Sequence, residues 1–174
     1  MANLVVKPQV EFMEAVKLAF KNGIQFSGRA RRSEFWWAQL AFVIISLLVC
    51  WIPIIGQLIS VCILVVNLAL TFRRLHDTNH SGWWVGVPLL VNAIALIILI
   101  ATTGLAVLTG DMDAMAGAGL GSLVLIGLLY CAAGLMQIVV IVFCCIDSDQ
   151  TANRFGESNK YVLEEENAAL EPTV

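Results

Sequence analysis

Every lysine and arginine in this chain falls on one side of a four-segment apolar pattern. Lys7, Lys17, Lys21, Arg29, Arg31 and Arg32 precede the first apolar block, Arg73 and Arg74 lie between the second and third, and Arg154 and Lys160 follow the fourth. The other two inter-block loops hold no Lys or Arg. Cations cross hydrocarbon only at high cost, so this asymmetry is the positive-inside pattern of a multispanning membrane protein and sets its orientation, with both termini cytoplasmic. Composition agrees: 59% of residues are hydrophobic and 13% charged, about half the charge of a soluble domain.

The segment bounds follow from length. Residues 35–72 carry no charge, enough for two spans of about 17–20 residues. Pro53 and Gly56 mark a tight turn between them, giving spans over about 35–51 and 54–72. The third runs over about 83–108 and the fourth over about 119–146. The loop between these two carries Asp111 and Asp113 but no base, as suits an external loop. Residues 1–34 hold no apolar core ahead of a cleavage site, so the first span is expected to act as an uncleaved insertion signal. Residues 9–22 read as an amphipathic helix, with Phe12, Val16, Ala19 and Phe20 on one face. It is expected to lie in the membrane interface, although packing on the protein's own loops fits equally well. Residues 157–174 form an acidic tail, expected to be solvated with a transient helix over Tyr161–Leu170. The expected fold is therefore an all-α, four-helix transmembrane bundle, residues 1–156, with an interfacial N-terminal helix.

All five tryptophans fall at the expected interfaces: Trp36 and Trp37 at the start of the first span, Trp51 at its end, Trp83 and Trp84 at the start of the third. Indole favours the headgroup layer because its body is apolar and its N–H needs a partner. The five cysteines lie within or beside apolar segments without a C-x-x-C pair, so they read as packing residues.

Three charged stretches share the cytoplasmic side: Phe26–Trp37, containing Gly28-Arg29-Ala30-Arg31-Arg32-Ser33-Glu34-Phe35-Trp36; Arg73–Trp84, containing Arg73-Arg74-Leu75-His76-Asp77 and Ser81-Gly82-Trp83-Trp84; and Asn153-Arg154-Phe155-Gly156. Together they resemble the bacterial inner-membrane family of domain-of-unknown-function 805 proteins (YhaH/YhaI-like). That family shows Gly-Arg-x-x-Arg-x-Glu-(Phe/Tyr)-Trp, then Arg-Arg-Leu-His-Asp with Ser-Gly-Trp-Trp, then Asn-(Arg/Lys)-(Phe/Tyr)-Gly. The resemblance covers roughly residues 10–156 and departs in an expanded stretch around 101–122. It implies a small helical inner-membrane protein and carries no activity with it.

Because the three stretches share a face, Arg29, Arg32, Glu34, Arg73, Arg74, His76, Asp77 and Arg154 are expected to meet in one cluster. With Arg31 the face holds six arginines, and if each of Glu34, Asp77, Asp147 and Asp149 pairs once, two of the six remain over. A spare guanidinium at the headgroup layer grips phosphate with two hydrogen bonds. The leading expectation is a non-enzymatic protein whose arginine-rich face binds anionic phospholipid or a protein partner. The same charges also serve as topology anchors and inter-helix salt bridges.

Two other classes stay open. A transporter or channel subunit would oligomerise and line a pathway with Gln39, Gln57, Asn67, Asn92 and Gln137; none of these is ionisable, which argues against ion coupling by one chain. A lipid-headgroup enzyme would use His76 and Asp77 as acid–base partners in an open pocket. His76 and His80 are four apart, but Thr78–Gly82 reads as a turn that breaks the helical register a metal pair needs. The pattern calls for no metal, cofactor or nucleic acid.

Overall fold

The computed structural model describes residues 4–110 and 112–163. The elements, in chain order, are strand β1 (Leu4–Val6), helices α1 (Phe12–Lys21), α2 (Arg32–Val49), α3 (Ile55–Asp77), α4 (Trp83–Thr109) and α5 (Met112–Cys145), and strand β2 (Tyr161–Leu163). Four helices are long and apolar enough to cross a membrane: α2, α3, α4 and the Gly121–Cys145 part of α5. Their flanks bear large exposed apolar side chains, among them Leu48, Leu64, Ile97 and Leu128, which only a lipid environment can cover at this density.

The chain divides into two compact units. One comprises residues 1–82 and 143–174, the other residues 83–142. All ten Lys and Arg belong to the first. In the second, α4 and most of α5 are predominantly apolar, with Val85, Ala95, Ile126, Ala133 and Val140 buried. Asn92 Oδ1 is buried there without a hydrogen-bond partner among the described residues.

In the first unit, α1 packs on α2 and α2 on α3. Small residues permit the close approach: Ala15 and Ala19 of α1 and Ala38 of α2 are fully buried. Ring contacts reinforce it, Phe12 meeting Trp37 and Phe20 meeting Phe42 edge to face, each with centroids 5.9 Å apart. Phe12, Met13 and Phe20 remain substantially exposed, so α1 has both a packed face and an apolar outer face.

The α2–α3 turn is tight enough to need special backbone. Ile54 has φ 64°, and the Ile55 N–H bonds the Pro53 carbonyl at 2.7 Å, a γ-turn around a β-branched residue and so a strained one. A β-carbon at Gly56 would collide with the Val49 carbonyl. Proline and glycine at this spacing did point to a turn here.

Three features differ from the sequence reading. α5 begins at Met112, so residues 112–118, expected to lie in or beside an external loop ahead of the fourth span, are helical. α3 does not stop at Phe72 but continues as helix through Arg73 and Arg74 to Asp77, because buried bonds from Arg74 and Asp77 to other segments hold that last turn. Tyr161–Leu163 is strand rather than the start of a helix: it pairs antiparallel with β1, Val5 opposite Val162, and the Lys7 N–H extends the ladder to the Lys160 carbonyl at 3.0 Å. The remainder of the acidic tail, residues 164–174, lies outside the described residues, as does Asp111.

Candidate functional site

The charged end of the first unit is built around Asp77, the last residue of α3. Its side chain is fully buried. Oδ1 accepts Arg29 Nε at 2.9 Å, and Oδ2 accepts Arg74 Nη1 at 2.5 Å together with the Ser148 hydroxyl. One carboxylate thus joins the segment before α2, the end of α3 and the chain after α5. A buried carboxylate survives only with its lone pairs filled by charged donors.

Arg29 shows how completely that demand is met. Beyond Asp77 Oδ1, its Nη1 donates to the Thr151 and Gly156 carbonyls at 2.9 and 3.3 Å, and its Nη2 to the Asp77 and Asp149 carbonyls at 3.3 and 2.7 Å. All five guanidinium N–H groups have acceptors. Arg74 closes the C-terminal turn of α5: Nε donates to the Cys144 carbonyl at 3.2 Å and Nη2 to that of Ile146, while Nη1 also reaches the Ala30 carbonyl at 3.3 Å. Arg32 Nη1 lies 3.4 Å from the Cys145 carbonyl. The last carbonyls of a helix have no partners within it, and cations at that negative end are favourable.

The Asn153–Gly156 stretch docks on the same end. It is a turn closed by reciprocal 3.0 Å bonds between the Asn153 and Gly156 backbones, with Gly156 at φ 128°, where a side chain would be strained. Asn153 Nδ2 donates to the His76 carbonyl at 2.9 Å. Phe155 stacks on the His76 ring at 3.8 Å. Arg154 lies over Phe155 at 4.7 Å and donates to the Asn79 carbonyl at 3.0 Å. His76 Nδ1 is 3.3 Å from the Gly28 carbonyl, which ties in the first stretch. His80 stacks on Phe143 at 3.9 Å. The His76 ring sits against aromatic rings and the Gly28 carbonyl, and the His80 ring against Phe143 and the Thr78 hydroxyl, 3.1 Å from Nδ1; no group of three or more His, Cys, Asp or Glu able to hold a metal occurs among the described residues. Gly82 is needed for closeness: a β-carbon there would run into the Phe72 ring.

Arg29, Arg32, Glu34, Arg73, Arg74, His76, Asp77 and Arg154 therefore share one end of the unit, but not with one-to-one pairing. Asp77 takes two arginines. Asp147 pairs with Lys160, and the Asp149 carboxylate accepts Asn153 Nδ2 at 3.3 Å. Glu34 holds Arg73 Nη1 at 3.3 Å. Arg31 donates to the Lys7 and Pro8 carbonyls, the latter at 2.6 Å. The Lys160 hydrogen bond keeps the Asp147 carboxyl below its usual range. Burial alone would lower the Lys160 ammonium, but hydrogen bonds to Asp147 and Tyr161 outweigh it and raise it.

Two cavities open beside the cluster. One, of about 350 Å³, is lined by Arg32, Ser33, Trp36, Trp37, Asp147 and Lys160, among others. The second, of about 580 Å³, is lined by Lys7, Gln25, Arg31, Glu34, Arg73 and Asn159, among others. Neither is lined by His76, Asp77, Gln39, Gln57, Asn67, Asn92 or Gln137. Asp77 is thus enclosed, not poised for proton transfer from an open pocket. Ser148, Asn159 and the pairing of Lys160 with Asp147 escaped sequence reasoning because they lie in the chain after α5, which offered no periodicity.

The family described as "Protein of unknown function (DUF805)" matches residues 49–157, which span the Arg73–Asp77 stretch, the Ser81–Trp84 stretch and the Asn153–Gly156 turn. The chain belongs to this family. It is 35% identical over 95 residues to the inner membrane protein YhaI of Escherichia coli K12, covering 48% of this chain and 80% of that protein, with the same figures for YhaI of Escherichia coli O157:H7. It is 30% identical over 92 residues to the inner membrane protein YhaH of Escherichia coli K12, covering 46% and 75%. No solved structure matches. The chain is a multi-pass inner-membrane protein of this DUF805 family.

Proposed function

We propose that this inner-membrane protein binds anionic phospholipid at its cytoplasmic surface, through the cavity between Arg32 and Lys160, without catalysing a reaction. The supporting observation is the company Arg32 keeps. It is exposed at the first turn of α2, with a single long bond to Cys145, and shares its cavity with half-exposed Trp36 and Trp37. A guanidinium beside two indoles at the start of a spanning helix suits a phosphate at headgroup depth with acyl chains running down the tryptophan side. The first-turn N–H groups of α2 add positive potential. The buried arginines have a different task in this reading: they lock the three stretches and thereby hold Arg32 in place.

Native mass spectrometry of gently extracted protein tests the reading. Wild type is expected to retain phosphatidylglycerol in preference to phosphatidylcholine, and Arg32→Ala to lose that preference by about fivefold, as one juxtamembrane cation worth roughly 1 kcal/mol implies. Equal retention by wild type and Arg32→Ala would refute it.

A further inference from the structure

We propose that the 580 Å³ cavity beside Arg73 is a second anion site, taking a phosphate group on the guanidinium edge that Glu34 leaves unused. Of the buried residues, Arg29, Arg31, Arg73 and Arg74 are cationic, and Glu34 and Asp77 are the carboxylates that face them. Four against two leaves two positive charges in excess. Asp147 is spent on Lys160, and Asp149, whose carboxylate accepts the neutral Asn153 amide, keeps its charge but is not buried with them.

The excess is tolerable at three of these arginines. Arg29, Arg31 and Arg74 spread their charge over backbone carbonyls. Arg73 does not. It is 4% exposed, its Nη1 has Glu34 at 3.3 Å, and its Nε and Nη2 are buried without a hydrogen-bond partner among the described residues. Leaving charged donors buried and unmet is among the costliest arrangements in a folded protein. It persists where a ligand completes the set.

The cavity that Arg73 lines has the chemistry for such a ligand. Lys7, Arg29, Arg31 and Arg73 contribute positive charge to its wall, against Glu14 and Glu34, and Gln25 and Asn159 add amides. Arg29 is already paired with Asp77, and the net positive charge left by Lys7, Arg31 and Arg73 against the two glutamates favours a phosphate anion. The volume exceeds bare phosphate and falls within the range of small-ligand sites. It shares Gln9 and Arg31 with the cavity of the proposed lipid site, but none of Arg32, Trp36, Trp37 or Lys160 lines it.

The test uses the full chain in dodecyl maltoside, a phosphate-free detergent, titrated calorimetrically with inorganic phosphate in one arm and with phosphatidylglycerol in mixed micelles in the other. Wild type should bind inorganic phosphate saturably. Arg73→Gln should weaken this about tenfold or more, the effect of losing charge-assisted bonds, and Arg32→Ala should leave it unchanged. Lys7→Glu, on the cavity rim, should weaken it severalfold and keeps the test decisive if Arg73→Gln does not fold. Binding of phosphatidylglycerol alone, with a component that Arg73→Gln and Lys7→Glu remove and Arg32→Ala keeps, would equally support the site and name a headgroup as the source of its phosphate. Absence of binding in both arms, or affinities that neither Arg73→Gln nor Lys7→Glu alters, would overturn the proposal. The inorganic-phosphate arm reads only the Arg73 cavity, whereas the phosphatidylglycerol arm also reads the Arg32 site, as the component of binding lost in Arg32→Ala.

Discussion

Replacing Arg29 is the sharpest perturbation of the charged end, and its cost can be built up acceptor by acceptor. Arg29→Ala removes five hydrogen bonds, and their acceptors fare differently once the guanidinium is gone. The Thr151 and Gly156 carbonyls belong to exposed residues, so water replaces the guanidinium there at little net cost. Asp77 is fully buried, and it would keep only Arg74 and Ser148 against its charge. Breaking a buried ion pair by deleting one partner costs about 3–5 kcal/mol, and this term dominates. Arg29→Lys keeps a charge but loses the planar fork, so it should cost about 1.5–3 kcal/mol, the worth of a charged hydrogen bond. Reversible unfolding in mixed micelles, followed by tryptophan fluorescence, gives both numbers. Amide exchange should show residues 149–156 opening first. An Arg29→Ala cost below about 1 kcal/mol, typical of an exposed pair, would rule out Asp77 as a buried anion dependent on Arg29.

Three contacts elsewhere yield further expected outcomes. Gly82→Ala should destabilise by about 1–3 kcal/mol through its collision with Phe72, and Phe72→Leu in the same chain should recover part of that in the same unfolding assay. Phe155→Ala removes the stack on His76, worth about 0.5–1.5 kcal/mol beyond the buried area, and should raise amide exchange across Asn153–Gly156. The Asp147–Lys160 pair sets a pH window. The lowered Asp147 carboxyl adds stability that is present above its unfolded pKa of about 3.9 and is lost as pH falls through the lower folded value. The raised Lys160 ammonium adds stability that is present below about pH 10.4 and is lost as pH rises through its folded value. Melts recorded across pH should therefore lose this increment at both extremes, and Asp147→Asn should flatten both limbs.

Spans and their turns were legible because hydrophobic length and one-sided cations are properties of composition along the chain. The turn at Pro53–Gly56 could be read for the same reason, as could the charged stretches. Partners could not. Arg73 and Arg74 are adjacent, yet about 100° apart around a helix, which sends one to Glu34 and the other to Asp77 and the end of α5. Nothing local distinguishes them. Counting acids against arginines failed because most acceptors here are backbone carbonyls, which every residue carries. α3 outran its apolar stretch because Asp77 and Arg74 bond tertiary partners that hold the last turn. Tyr161–Leu163 was too short to show a strand period, and its partner β1 lies at the other end of the sequence.

The cluster and both proposed anion sites depend on every cationic stretch facing the same compartment. Single cysteines placed at Gln25, Trp51, Gly110 and Glu157 in a cysteine-free chain, labelled with an impermeant maleimide in sealed spheroplasts and in inverted vesicles, report that orientation residue by residue. Gln25→Cys and Glu157→Cys should label in inverted vesicles only, and Trp51→Cys and Gly110→Cys in spheroplasts only. Labelling of either Gln25→Cys or Glu157→Cys from outside intact spheroplasts would place a cationic stretch in the wrong compartment and dissolve the cluster.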